Sequence, residues 1–135
     1  PGLFLTSLDQ HGNVTSRIVS YSNDCCVSWD TTYYYKNLPD PVNHGALLSW
    51  RRKGKYILAV SNAASTSRRD NLTLRLSKDQ GKTWYFNQVV AKAPEHAKGD
   101  YTAYSDLVLL SKDKIGVLFE KENYSKIIFI PVSFK

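Results

Sequence analysis

The chain has 135 residues, 42% of them hydrophobic and 22% charged, which suits one ordinary globular domain. No apolar run reaches the roughly 18 residues that a transmembrane helix needs. The net charge of +6 is spread along the sequence, with short clusters only at Arg51-Arg52-Lys53 and Arg68-Arg69; spread charge reads as solvated surface rather than a nucleic-acid interface.

In chain order, the opening "PGLFLTS" lacks a charged region followed by an apolar core, so it reads as a cut end and not a signal peptide. "SRIVSYS" (16–22) is the first strand-like run. It leads into the adjacent Cys25 and Cys26, which are read as two half-buried thiols, since adjacent cysteines bond each other only under strain and no other ligand stands nearby for a metal. "GALLSW" (45–50), "KYILAVSN" (55–62), "NLTLRLS" (71–77), "TWYFNQVV" (83–90), "AYSDLVLL" (103–110), "KIGVLFE" (114–120) and "KIIFIPVSF" (126–134) follow. All are rich in β-branched or aromatic residues. Several alternate with period two, as Leu72, Leu74 and Leu76 do against Thr73, Arg75 and Ser77. Turn signals such as "KGK", "DQGK", "KDK" and "ENYS" separate them. No segment holds a helical period, so the expectation is an all-β chain of antiparallel meanders.

One pattern occurs twice. Ser77, Asp79, Gly81, Thr83 and Trp84 spell S-x-D-x-G-x-T-W, and Ser22, Asp24, Cys26, Ser28 and Trp29 fit the same frame. Each copy follows a strand-like run. The copies begin 55 residues apart, and fixed-period repetition at about 40–50 residues suggests propeller blades. The residue types suit a self-capping turn. Asp accepts hydrogen bonds from turn amides, Gly takes a positive φ freely, and the hydroxyls pair locally. Each Trp is expected to pack inward. A calcium loop is disfavoured, because further carboxylates and a closing Glu are missing.

The S-x-D-x-G-x-T-W turn resembles the Asp-box of the sialidase (neuraminidase) superfamily. Its surroundings resemble that family in order: "LPDPVNHGALLSW", then "RRDNLTLRLSKDQGKTW", then "YTAYSDLVLL", then "KIGVLFEKENYSKIIFIPVSF". The agreement runs from about residue 16 to residue 135, and "SRIVSYSND" and "DPVNHGA" lean toward lysosomal-type or related bacterial enzymes. The resemblance implies a six-bladed β-propeller. Residues 1–135 would be about three blades of its C-terminal part, with the N-terminal blades outside this sequence.

The resemblance further implies an exo-α-sialidase, a glycoside hydrolase that releases terminal α-linked sialic acid from glycoproteins, oligosaccharides or gangliosides without a metal or other cofactor. Sialidases replace the usual carboxylate nucleophile with a tyrosine. A neutral phenol avoids repulsion by the substrate's own carboxylate, but with a free pKa near 10 it needs a base. Tyr104 in "AYSDL" matches the nucleophile, with Tyr101 the nearest rival. Arg69 matches the third arginine of the triad that clamps the substrate carboxylate, with Arg68 the alternative if the register slips. Arg75 falls inside the strand and is assigned to packing. Glu120 in "VLFEK" matches the glutamate that orients an active-site arginine. Asp106 shares the Tyr104 face or pairs with a nearby amide.

The departures from the family matter as much. The acid/base aspartate, the first arginine and the tyrosine-activating glutamate would lie upstream of residue 1. The second arginine should stand near residues 8–11, where the sequence has "LDQH"; Arg17 aligns with the next strand instead. A non-catalytic propeller that binds sialic acid is therefore the alternative, and the chain alone should not be catalytically competent. An unrelated propeller that uses the boxes only as scaffolding is a third reading. His11, His44 and His96 show no metal spacing and read as surface residues. Sequons at Asn13, Asn71 and Asn123 lean toward a lysosomal or extracellular setting.

Overall fold

A computed structural model describes residues 3–7, 14–30 and 32–135, with only the backbone of 3–7. The strands are β1 (Leu3–Ser7), β2 (Ser16–Ser22), β3 (Tyr33–Pro39), β4 (Ala46–Arg52), β5 (Lys55–Ala63), β6 (Leu72–Ser77), β7 (Phe86–Ala91), β8 (Thr102–Ser111), β9 (Lys114–Lys121) and β10 (Lys126–Ser133). They form three antiparallel sheets, β1-β2-β3, β4-β5-β6-β7 and β10-β9-β8. No helix occurs among the described residues. The fold is all-β, and its three antiparallel sheets suit three blades of a partial β-propeller. β4 and β8 lie together where neighbouring sheets meet.

The middle sheet is covered on both faces. One face places Ile57, Ala59, Leu72, Leu74 and Leu76 against Ile115, Val117 and Phe119 of the β8–β10 sheet. The other places Leu58 and Val60 against Val19 and Leu38 of the β1–β3 sheet. The alternation in β6 therefore does not separate a dry face from a wet one, because Thr73, Arg75 and Ser77 are also buried. Their side is a polar seam. Arg17 pairs with Asp40 at 2.8 Å, Asn62 donates to Asp40 Oδ2 at 3.2 Å, and Arg75 donates to Asn62 Oδ1 at 2.9 Å. Burial lowers the pKa of the Arg75 guanidinium. Arg75 thus serves the packing between sheets, as its sequence position implies.

Both repeat turns close in the same way. Asp79 Oδ1 accepts from the Thr83 amide at 2.9 Å and Oδ2 from the Thr83 hydroxyl at 2.6 Å, while Ser77 Oγ accepts from the Gly81 amide at 2.8 Å. In the first copy, Asp24 Oδ1 accepts from the Ser28 amide at 2.8 Å, and Oδ2 accepts from its hydroxyl at 2.6 Å; Ser22 Oγ accepts from Cys26 at 2.8 Å. Gly81 has φ 83° and Cys26 has φ 70°. The glycine slot is thus a genuine left-handed position that Cys26 occupies at a steric cost.

Three expectations need correction. Cys25 and Cys26 are exposed rather than half-buried, because they stand at the tip of the turn. Trp84 packs on the Val19–Leu38 cluster, but Trp29 is 40% exposed; no described sheet lies beyond β1–β3 to receive it. Strands also form at Leu3–Ser7 and Tyr33–Pro39, where the sequence reading gives none.

Candidate functional site

Four connections meet at the end of the sheets where β4 and β8 begin. They are residues 40–45 ahead of β4, the β5–β6 loop, the β7–β8 loop and the β9–β10 turn. Tyr104, the third residue of β8, is 47% exposed there. The Arg69 guanidinium carbon lies 5.3 Å from the Tyr104 ring centroid. Glu120 stands across the β8–β9 hairpin, and its Oε2 accepts from the Tyr104 amide at 3.4 Å. The three residues taken from the sequence are thus brought to one place.

Arg69 is held from several sides. Its amide donates to Asp100 Oδ1 at 3.1 Å, and its carbonyl accepts from the amides of Tyr101 and Thr102 at 2.9 and 3.0 Å. Its Nη1 donates to the Tyr124 hydroxyl at 2.7 Å, and that hydroxyl donates to Asp100 Oδ2 at 2.7 Å. The hydrogen bond to Asp100 raises the Tyr124 pKa, so the phenol remains a donor. Tyr124 ends a turn in which Glu122, Asn123 and Tyr124 all have positive φ, at 53°, 50° and 64°. Three successive left-handed residues store strain of the kind that collects at sites where geometry matters. The second terminal nitrogen of Arg69 has no partner among the described residues and can meet a carboxylate.

The rivals are placed differently. Arg68 donates to the Ala97 carbonyl at 2.6 Å and pairs with Asp70 at 3.0 Å, which ties the β5–β6 loop down. Tyr101 lies under the Lys121 ammonium, 5.0 Å from its ring centroid. Asp106 shares the exposed face of Tyr104 and accepts from the Leu107 amide at 2.8 Å. Arg17 is committed to Asp40 and to the Asn43 carbonyl at 2.9 Å.

His44 is a member that the sequence reading left on the surface. It is exposed, yet its ring centroid is 5.4 Å from that of Tyr104. The segment that carries it is fixed on both sides. Asp40 Oδ1 accepts from the Asn43 amide at 2.7 Å, and the Asn43 side chain donates to the Ala103 carbonyl at 2.8 Å. A Cβ at Gly45 would stand 2.6 Å from the Ser61 carbonyl oxygen, so only glycine lets this backbone approach β5. His44, Tyr104, Asp106, Glu120 and Ile127 line an open depression of ≈ 440 Å³. No spacing rule in the sequence pairs His44 with Tyr104; the pairing follows from how its loop is anchored in the fold.

Some expectations fall elsewhere. Positions 8–11, including His11, lie outside the described residues. Among those described, no arginine pairs with Glu120, and no group of three or more His, Cys, Asp or Glu is placed to hold a metal.

Residues 7–126 match the BNR repeat-like domain. The chain is 32% identical over 130 residues to a sialidase of Bacteroides fragilis, covering 89% of this chain and 22% of that protein. It therefore spans about a fifth of the length of this relative. A Hadza microbial sialidase superposes with a TM-score of 0.75 at 21% identity, over 98% of this chain and 25% of the other. A leech intramolecular trans-sialidase superposes at 0.73 and 18% identity, over 98% of this chain and 21% of the other.

Proposed function

The chain belongs to the BNR repeat-like domain family within the sialidase superfamily, and we propose that it is the C-terminal part of an exo-α-sialidase propeller that carries part of the active site. One observation carries the reading: the Arg69 guanidinium lies beside the ring of an exposed tyrosine, with Glu120 at the same tyrosine's amide. A guanidinium held on one edge and open on the other suits the carboxylate of a terminal sialic acid in a glycoprotein, oligosaccharide or ganglioside. With the acid group fixed there, Tyr104 Oη attacks the anomeric carbon and the glycosidic bond breaks. A general acid protonates the leaving oxygen, and a base receives the phenol proton. Water then releases the sugar from tyrosine. The acid, the base and the first arginine would come from blades outside this chain, so the isolated chain is not competent.

The test is turnover of a fluorogenic α-sialoside by the full-length protein. Tyr104→Phe is expected to lower kcat by about a thousandfold or more, and Arg69→Lys to raise KM about tenfold or more, since lysine lacks the bidentate fork. Full activity of Tyr104→Phe overturns the reading. The sequence itself motivates a second one, since residues 8–11 contain no arginine. Sialic-acid binding by the full-length protein with no turnover would establish a non-catalytic binding propeller instead.

A further inference from the structure

The basic residues that are spread along the sequence are gathered in space. At the end opposite Tyr104, the β4–β5 turn carries Arg51, Arg52, Lys53 and Lys55. The β6–β7 turn adds Lys78 and Lys82. The β8–β9 turn adds Lys112 and Lys114, and Lys135 lies beside it, since the Phe134 amide donates to the Asp113 carbonyl at 2.9 Å. These turns form one rim. Arg52 pairs with Asp113 across two of them, and the Lys78 ammonium lies 4.0 Å from the Tyr85 ring centroid at the third.

Nine of the chain's 18 Lys and Arg therefore share one end of two adjacent sheets. The carboxylates on those turns are Asp79, engaged inside its own turn, and Asp113, paired with Arg52. Asp24 and Asp30, on the neighbouring β2–β3 turn, bound the patch on one side. All nine cations but Arg52 are exposed.

We propose that this rim docks the protein on an anionic lipid surface. The charges sit on separate turn tips, over roughly 15 by 10 Å from ordinary strand and sheet spacings. Seven of the nine are lysines. Lysine is a hydrated point charge, suited to a diffuse array of headgroups rather than to the forked recognition of one phosphate or base. Tyr56 and Tyr85, 51% and 38% exposed, stand among them, and tyrosine settles at the level of lipid headgroups. From Tyr104 to Lys112, the eight residue steps along β8 and into its turn span about 26 Å, so docking at the rim leaves the Tyr104 end facing away from the lipid.

The test is cosedimentation of the full-length protein with vesicles of phosphatidylcholine, alone or with about a third phosphatidylserine. Binding is expected only to the anionic vesicles, and it should fade as salt shortens the Debye length. The triple variant Lys53→Gln/Lys112→Gln/Lys114→Gln should bind about a hundredfold more weakly. Lys92→Gln/Lys98→Gln/Lys126→Gln, which removes equal charge from the other end, should bind as wild type, with both variants melting at the wild-type temperature. Equal binding to both vesicle types, equal loss in the two variants, or capture of heparin or RNA without vesicle binding would each overturn the proposal. Sialoside turnover is scored separately, because the rim does not depend on the role of Tyr104.

Discussion

At the scale of single residues, Asp79 shows how one side chain closes a turn. The Thr83 hydroxyl, the Thr83 amide and the Ser77 hydroxyl stabilise its carboxylate and lower its pKa to about 2, against a smaller opposing effect of burial. A depressed carboxylate stabilises the fold while ionised. Its contribution is complete above the ordinary carboxylate range near pH 4 and is lost as pH falls toward 2. Asp79→Ala is expected to cost about 1–2 kcal/mol at neutral pH. In thermal melts, the gap from wild type should narrow on acidification. At this scale the sequence was informative where chemistry and spacing are both local. Tyr104, Arg69 and Glu120 stand in recognisable strings. Tyr124, Asp100 and His44 are brought in by three separate loops, and nothing in their immediate neighbours encodes that meeting.

At the scale of elements, the strands from β4 to β10 were legible because apolar runs alternate with glycine- or charge-rich turns. β3 was not. Its "YYYKNLP" lacks a period of two, ends in proline and forms an exposed edge, so it offers little contrast between faces. The two repeat turns invite a direct comparison. Gln80 and Gly81 take φ 63° and 83°, while Cys25 and Cys26 take 59° and 70°. The same backbone is thus built once with glycine and once without. Cys26→Gly should stabilise the β2–β3 turn by about 1 kcal/mol, because the left-handed penalty of a side chain disappears. Differential scanning calorimetry of the single variant checks this, and a lower melting temperature would contradict it.

At the scale of the whole molecule, the described residues cover the β8–β10 sheet on one side only. Its other face shows Tyr104, Val108, Leu110, Leu118, Ile127 and Phe129, all at least 42% exposed. A patch of this kind marks a contact surface, and a further blade would cover it. The 135-residue chain alone is therefore expected to bind a hydrophobic dye and to self-associate in light scattering, while the full-length protein stays dispersed. The amount of apolar surface was legible from composition, but which side remains open depends on how sheets stack. The Tyr21 hydroxyl donates to the Gln80 carbonyl at 3.1 Å, and the Tyr35 hydroxyl to the Gly81 carbonyl at 2.8 Å. The β2–β3 strands thus hold the turn of the next sheet, and no described residue does the same for theirs. Opening of the β6–β7 turn must break contacts in two sheets, so its fluctuations are coupled to its neighbour's. Among the described residues of this chain, the β2–β3 turn has no such tie, which makes it the looser link of the two.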